Sequence, residues 1–549
     1  MTATSTRTRP TDHRTGTREP WTGTGYLLPL NLRLDRVRIL VWTVAVGLLV
    51  AGSVVSLEET YPTAESLQAR AALLSNPSAV MMTGPAFALD NYTFGAMVAS
   101  ELSLYLLVAV AIMSVLLVVR HTRAEEESGR LEVVRALPVG RFAPATAALA
   151  TVAVADLVVG AVITLALVGT GMEVAGSVAL GAASALTGLV FGAVAGVTAQ
   201  LTEHARAASG AALGVLAVAF LVRGVGDVID NQGSWLSWLS PLAWAQQTRL
   251  YVDLRWWPLA VSAATALLLL TVAVVLAQRR DLGAGLRAPR PGPAAASAAL
   301  LSPAALTRRL LASSFVGWTA GMFFFAIAFG ALANSLEDMV DDIPDLGEWI
   351  AVDLSDLTTS FAAAMLSFLM IAPVAFAVSA VLRLRAEEEA GRVEAVTVTG
   401  SSRPALLAGW LAVTAATAAV MVLMMGLGVG LGVAVATGDA GWVARMTGAS
   451  LVYLPAVLLV AALAAALYGL APRTAGLAWV VVVWMALTLF LGSLLGLPDW
   501  AMDLSPLTHT PLAPSEDVEA TPLVAMGLGA AALAALGFVG FRRRDVVSG

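Results

Sequence analysis

The sequence contains no cysteine and no lysine. Without cysteine, the chain has no disulfide framework, no thiolate metal site and no cysteine nucleophile. All 32 basic residues are therefore arginine. An ordinary P-loop needs a lysine that reaches the β- and γ-phosphates of a nucleotide, so this chain cannot carry one.

Charge of either sign is scarce. Charged residues make up 13% of the 549 residues, whereas soluble domains carry roughly 25%. Hydrophobic residues make up 58%, and the mean hydropathy is +0.81. This composition indicates a membrane protein. Residues 1–26 are polar and no apolar segment precedes position 38, so we expect no cleaved signal peptide.

The long apolar runs predict the fold class. About 20 apolar residues span a bilayer as a helix, and the sequence contains twelve such runs. We therefore predict an all-α polytopic membrane protein, in which the fifth span holds Arg223 and Asp227 in its second half and is followed directly by Asp230. The predicted spans are 38–56, 97–119, 143–168, 177–200, 209–229, 256–277, 315–334, 360–382, 405–436, 446–471, 475–496 and 521–541.

A charged segment occurs twice in this charge-poor chain. Residues 123–132 read RAEEESGRLE and residues 385–394 read RAEEEAGRVE, and each copy follows the second predicted span of its half. A near-identical repeat at this distance indicates an internal duplication. Six spans per half is an even number, so both halves insert with the same orientation and form parallel repeats.

The duplication predicts the domain organisation. Residues 1–37 form an N-terminal tail and an interfacial helix (27–37, where leucine alternates with charge), and 542–549 form a C-terminal tail. The transmembrane halves are 38–277 and 315–541. Between them, residues 278–314 form a Pro/Ala/Gly-rich linker and a second interfacial helix.

Arginine placement predicts the orientation. With the N-terminus inside, 27 of the 32 arginines lie on the cytoplasmic side, as the positive-inside rule requires. Residues 335–359 carry acidic side chains and no arginine, which suits the outer side. We therefore predict a multi-pass protein of the plasma (inner) membrane with both termini and both RAEEE copies in the cytoplasm. Tryptophans of an interfacial belt would lie outside: Trp235, Trp238, Trp244, Trp256, Trp257, Trp349, Trp442 and Trp500.

The two RAEEE copies have two interpretations. They could form a short helix that docks on a soluble partner through charge-assisted contacts. Alternatively, each is a solvated loop whose arginines anchor at lipid headgroups. The retention of both copies favours docking, and three consecutive glutamates are disfavoured beside an anionic leaflet. The four histidines form no ligand pattern with these glutamates, so no metal site is predicted.

The duplicated twelve-span layout with RAEEExGRxE after the second span of each half resembles an ABC-2-type transporter permease. The likeness is greatest to the actinobacterial exporters of polyketide antibiotics and other drugs, including tetronasin-type efflux permeases. The resemblance implies that the helix between the second and third spans is a coupling helix that sits in a cleft of a separate ATPase. It implies these coupling residues: Glu125, Glu126, Glu127, Gly129, Arg130, Glu132, Glu387, Glu388, Glu389, Gly391, Arg392 and Glu394.

The same resemblance implies the partners. The chain would equal two fused six-span subunits and recruit two copies of an ABC ATPase, which would bind ATP and Mg. The chain itself would hold no cofactor and would not be an enzyme. Its other partners would be membrane lipid and a hydrophobic small-molecule cargo, with no nucleic acid.

Ionisable residues inside predicted spans are functional candidates by default. Asp156 lies in the middle of the third span and Glu101 near the outer end of the second. Arg223 and Asp227 share a helix face through their spacing of four. We consider Asp156, Glu101 and Arg223 as candidates for the substrate path. The alternatives are helix packing or a hydrated outer mouth, which are favoured for Arg223 and Asp227.

The run GLGVGLG at 426–432 could be mistaken for a dinucleotide-binding loop. It lies inside a long apolar stretch, so close helix packing or local flexibility is favoured. Two alternatives to an ATP-driven exporter stay open. An ion-coupled secondary transporter can also be built from parallel six-span halves, and a non-transport scaffold needs no catalytic residues.

Overall fold

The computed structural model describes residues 19–544 except 75–79, 82, 86, 282, 287–293, 296, 298–299, 334–356 and 492–497. Trp349 and most of the acidic segment 335–359 lie outside the described residues, as do residues 1–18 of the predicted N-terminal tail. The chain divides into two compact units, Met1–Pro291 and Gly292–Gly549.

Among the described residues, twelve helices are long and apolar enough to cross a membrane, and the described residues contain no β-strand. The all-α polytopic prediction is therefore confirmed. The first unit contains α1 (Thr24–Thr60), α2 (Phe94–Glu127), α3 (Ala143–Gly169), α4 (Val174–Leu201), α5 (Ala205–Ile229) and α6 (Trp257–Gln278). The second contains α7 (Pro303–Gly330), α8 (Leu357–Glu389), α9 (Arg403–Thr437), α10 (Gly441–Leu470), α11 (Pro472–Leu489) and α12 (Ala520–Arg543).

The predicted interfacial helices are not separate elements. Residues 27–37 belong to α1, and the residues before the seventh predicted span belong to α7. Residues 30–46 and 304–316 contain no glycine or proline, so nothing in the sequence ends the helix before the span begins. Asp35, predicted to lie along the membrane surface, is fully buried. It accepts hydrogen bonds from Arg38 (2.8 Å) and Arg120 (3.1 Å) and contacts His121, which fastens α1 to α2.

Two of the spanning helices have local irregularities. Arg120–Ala124 of α2 adopts a π-helical turn, and π-turns often occur near functional positions. In α8 the α-helix is interrupted at Met370, between Leu357–Leu369 and Ile371–Glu389. Pro373 explains this interruption, because its ring nitrogen cannot donate to the backbone of the preceding turn. The second helix of each unit therefore has an irregularity, at a different depth.

Helix packing in both units relies on small residues, as it must where lipid removes the hydrophobic driving force between helices. In the first unit a Cβ added to Gly160 of α3 would lie 2.6 Å from the backbone oxygen of Gly181 of α4. In the second unit the GLGVGLG run belongs to α9 and packs on two sides. A Cβ at Gly430 would lie 2.8 Å from the oxygen of Trp442 in α10, and one at Gly432 would lie 2.2 Å from the oxygen of Ile327 in α7. Close packing accounts for the run.

Candidate functional site

From the glutamate triplet onward, the two RAEEE copies follow the same backbone course. In each unit the second spanning helix continues through the glutamate triplet and ends before a glycine, Gly129 (φ 75°) or Gly391 (φ 72°). This left-handed conformation suits glycine, which has no Cβ to clash. A seven-residue helix follows, Arg130–Ala136 or Arg392–Val398. We call each stretch, 123–137 and 385–399, a coupling segment.

The middle glutamate of the first triplet is buried. Glu126 is 3% exposed at its side chain, and Arg280, just after α6, donates to its two oxygens at 2.6 and 2.9 Å. The backbone N–H of Gly283 adds a third hydrogen bond at 2.7 Å, and Arg123 lies 3.2 Å away. Charge-assisted, bidentate pairs of this kind are the strong ones. Glu126 therefore ties the first coupling segment to the end of α6.

The middle glutamate of the second triplet is held in the same way. Glu388 is 4% exposed at its side chain, and Arg544, just after α12, donates to both of its oxygens at 2.6 Å. The hydroxyl of Tyr468 also donates to Glu388. Burial opposes the charge of Arg544, but the hydrogen bond and charge of Glu388 raise the pKa of Arg544. We call Glu126–Arg280 and Glu388–Arg544 the carboxylate clamps.

Sequence reasoning did not find Arg280, Arg544 or Tyr468. One signal was available for the arginines, because each follows the last span of its own half, as the duplication would require. The partners in each clamp are 154 and 156 positions apart along the chain. No local pattern could connect them.

Three of the four flanking glutamates pair with an arginine of their own copy, and Glu127 contacts the start of α5. Arg130 lies 3.3 Å from Glu125, and Glu127 accepts from the backbone N–H of Ala205 (2.9 Å) at the start of α5. In the second unit Arg385 donates to Glu389 at 2.8 Å. Arg392 donates to Glu387, a hydrogen bond that raises the pKa of Arg392. These contacts help to hold each coupling segment in its conformation. The glutamates involved are Glu125, Glu127, Glu387 and Glu389.

The exposed face of each coupling segment is partly apolar. Val133 is 70% exposed in the first segment and Val398 is 81% exposed in the second. Leu137 of the first segment is also exposed, and so are its charged residues Arg130 and Glu132. In the second segment the charged residues Arg392 and Glu394 are exposed as well. Each segment therefore exposes both apolar and charged side chains, which is the composition of a protein-binding surface.

Asp156 is fully buried between helices of the first unit. Ser114 of α2 donates to its Oδ1 at 2.6 Å, and its Oδ2 has no hydrogen-bond partner among the described residues. The backbone of Gly188 in α4 passes so close that an added Cβ would lie 2.5 Å from Oδ1. Asp156 therefore lies where α2, α3 and α4 meet.

The other two path candidates lie in polar networks at one end of the first unit. Arg70 donates to Glu101 at 2.6 and 2.8 Å. Arg223 is fully buried, 3.2 Å from Asp227, whose other oxygen accepts from Ser237 at 2.5 Å. Arg223 also donates to the backbone of Met81. These contacts join α5 to the neighbouring loops, and neither network includes Asp156.

The chain has two units, twelve span-length apolar helices among its described residues, and one copy of the charged segment in each unit. It is a multi-pass membrane protein. The family described as Multidrug efflux system permease Rv1217c, C-terminal domain, matches residues 27–277 and residues 300–542, a stretch of each unit. The Multidrug efflux system permease protein Rv1217c of Mycobacterium tuberculosis is 38% identical over 547 residues, which cover 98% of both chains. The protein belongs to this family of multidrug efflux permeases, which confirms the resemblance to drug-exporting permeases.

Proposed function

We propose that this chain is the transmembrane subunit of an ATP-driven ABC exporter, of the ABC-2 type, that moves hydrophobic or amphipathic drugs out of the cell. It has no ATPase site of its own, and two copies of a separate ABC ATPase bind ATP and Mg and drive it. It lies in the plasma (inner) membrane with both termini in the cytoplasm. The observation that carries this proposal is the pair of coupling segments, each clamped to its unit and each exposing apolar side chains.

The geometry of each segment suits force transmission. The first segment continues α2 without a flexible linker, and Glu126–Arg280 ties it to the end of α6. The second continues α8 and is tied to the end of α12 by Glu388–Arg544. A push on either seven-residue helix would therefore reach two spanning helices of that unit. Glu126 and Glu388 are positioning residues in this mechanism, and Val133, Leu137 and Val398 contact the ATPase.

The placement of charge supports the orientation. Arg120, Arg280, Arg403 and Arg544 lie at the same ends of their helices as the coupling segments. Positive residues accumulate on the cytoplasmic side of membrane proteins. A soluble ATPase can reach the segments only from that side.

The exposed valines provide the direct test of docking. Val133→Asp combined with Val398→Asp places a charge in each proposed apolar contact, where burial of valine contributes about 1.5–3 kcal/mol. We expect the amount of ATPase that co-purifies with the membrane subunit to fall at least about tenfold. Val518→Asp is the matched control, since Val518 is 53% exposed in the loop before α12. Undiminished co-purification of the double variant would refute docking at this face.

Substitutions at Asp156 distinguish a role in helix packing from a role in transport. Asn keeps the size of the side chain and can accept the hydrogen bond from Ser114. Because Asp156 is fully buried between three helices, we expect Asp156→Asn to change drug export in vesicles less than about twofold, whereas Asp156→Leu loses the hydrogen bond and destabilises the unit by about 1–3 kcal/mol. A complete loss of export in a stable Asp156→Asn protein would instead support the path role or an ion-coupled carrier.

A further inference from the structure

A recess opens beside the first coupling segment, at the ends of four spanning helices. Its wall is formed by Thr122 of α2, Ala145 of α3, Gln200 of α4 and Ala277 of α6. Arg135, Arg141 and the paired Arg280 also face it, with Glu126 and Asp281 as the acidic residues. Glu126 is engaged in its clamp, and Asp281 lies exposed at the rim.

Two of these arginines have no carboxylate partner among the described residues. Arg135 donates only to the backbone oxygen of Arg141 (3.3 Å), and Arg141 donates to the backbone oxygen of Gln278 (3.3 Å). Burial and the nearby charge of Arg141 lower the pKa of Arg135. Both arginines are exposed, and two neighbouring cations that are each hydrogen-bonded only to a neutral carbonyl attract an anion.

The start of α3 adds a second attraction for an anion in the same recess. Phe142 occupies the N-cap position and provides no side-chain hydrogen bond, and Pro144 follows in the first turn. The first N–H groups of a helix need acceptors, and they carry the positive end of the helix dipole. The N–H of Ala143 donates to the backbone oxygen of Gly140 (3.2 Å) and that of Thr146 to Phe142 (2.9 Å). The start of α3 therefore offers an anion the N–H of Ala145 and the positive end of the helix dipole.

The second unit shows what the same region looks like without such a site. There the corresponding helix, α9, is capped by its own residue, because Ser402 accepts from the backbone N–H of Ala405. Counting by the offset of the repeat, Thr397 takes the place of Arg135, and Arg403 takes the place of Arg141. Arg403 donates to the backbone oxygen of Arg544. Only the first unit combines the arginine pair with an uncapped helix among the described residues.

We propose that this recess binds the phosphodiester headgroup of an anionic phospholipid, with Arg135 and Arg141 as its ligands beside the N-terminus of α3. Lipid is the favoured source of the phosphate because the site lies where spanning helices end, at headgroup depth. The apolar side chains of Leu131, Phe142 and Ala277 line the same recess. Trp21 packs against Phe142 with ring centroids 6.1 Å apart and is 58% exposed, as aromatic residues at the membrane interface are.

Lipid binding to the purified full-length chain tests this site without the ATPase. Native mass spectrometry would count bound palmitoyl-oleoyl phosphatidylglycerol and, in parallel, palmitoyl-oleoyl phosphatidylcholine. We expect phosphatidylglycerol to bind more tightly, and Arg135→Gln with Arg141→Gln to weaken its binding about tenfold. Arg130→Gln and Arg403→Gln are matched controls and should bind as the unaltered chain does. Arg135→Lys with Arg141→Lys keeps both charges and should retain most of the affinity.

Three outcomes would overturn the proposal. Equal affinity for the two lipids would show that headgroup charge is not recognised. Unchanged phosphatidylglycerol binding in the double glutamine variant would place the lipid elsewhere. Displacement of phosphatidylglycerol by a large excess of inorganic phosphate would identify the ligand as a free anion. Melting temperatures of all variants, measured in the same detergent, show whether each one is folded.

Discussion

Glu388→Ala is expected to destabilise the second unit by about 3–5 kcal/mol, because it removes one partner of a buried ion pair. Glu388 is 4% exposed and Arg544 is 14% exposed at their side chains, so the arginine would be left without its bidentate acceptor. The hydroxyl of Tyr468 would lose an acceptor as well. Glu126→Ala should have a similar effect in the first unit, where Arg280 is 13% exposed. Thermal and denaturant unfolding of the purified chain measures both.

Neighbouring glutamates provide matched controls for the clamps. Glu389 is the last glutamate of the same triplet. Its side chain is 61% exposed and pairs with Arg385 on the protein surface. Exposed ion pairs contribute about 0.2–1 kcal/mol, so Glu389→Ala should change the free energy of unfolding very little. Glu388→Ala with Arg544→Met removes both charges and should recover much of the stability. Equal effects of Glu388→Ala and Glu389→Ala would show that the clamp is not what fastens the segment.

The clamps also predict a separation of binding from transport. A coupling segment that has lost its tie to α6 or α12 still exposes Val133 or Val398. We therefore expect the combined variant Glu126→Gln and Glu388→Gln to retain co-purification of the ATPase while drug export falls at least about tenfold, a loss of about 1.4 kcal/mol of coupling. The opposite result would contradict this assignment: less ATPase co-purifies, but the ATPase that stays bound drives export normally. The two glutamates would then belong to the docking surface itself.

Gly432→Val should separate α7 from α9 and prevent the second unit from assembling normally. A Cβ at Gly432 would lie 2.2 Å from the backbone oxygen of Ile327 and 2.7 Å from the backbone nitrogen of Ala331. Backbone atoms cannot move aside as a flexible side chain can, so we expect a cost at or above the upper end of the 1–3 kcal/mol typical of overpacking, roughly 3 kcal/mol or more. The folded yield and melting temperature of the purified chain report this loss.

Gly321 supplies the control for that substitution. It lies in α7, and among the described residues no atom beyond the neighbouring backbone of its own helix lies within 4 Å of a Cβ built on it. Gly321→Val therefore adds the same side chain to a spanning helix of the same unit without a clash. We expect its melting temperature to stay close to that of the unaltered chain. A Gly432→Val protein as stable as Gly321→Val would show that α7 and α9 do not approach as closely as described.

The GLGVGLG run shows which aspects of helix packing can be predicted from the sequence. A run of small residues in an apolar segment predicts close helix approach, and that prediction was correct. Which helices approach was not predictable, because the faces depend on helical phase. Gly426 and Gly430 share the face toward α10, and Gly428 and Gly432 share the face toward α7, as their spacing of four requires.

The sequence by itself determined the membrane class, the twelve apolar helices and the duplication, because hydropathy and repetition are local properties of the chain. The continuity of α1 through 27–37 was decided by the fold, which buries Asp35 against α2. Three consecutive glutamates are equivalent in sequence, and only the tertiary structure selected Glu126 and Glu388 for burial. Their partners, Arg280 and Arg544, follow the last spanning helix of each unit. Residues so far apart in the sequence come into contact only when the helices pack.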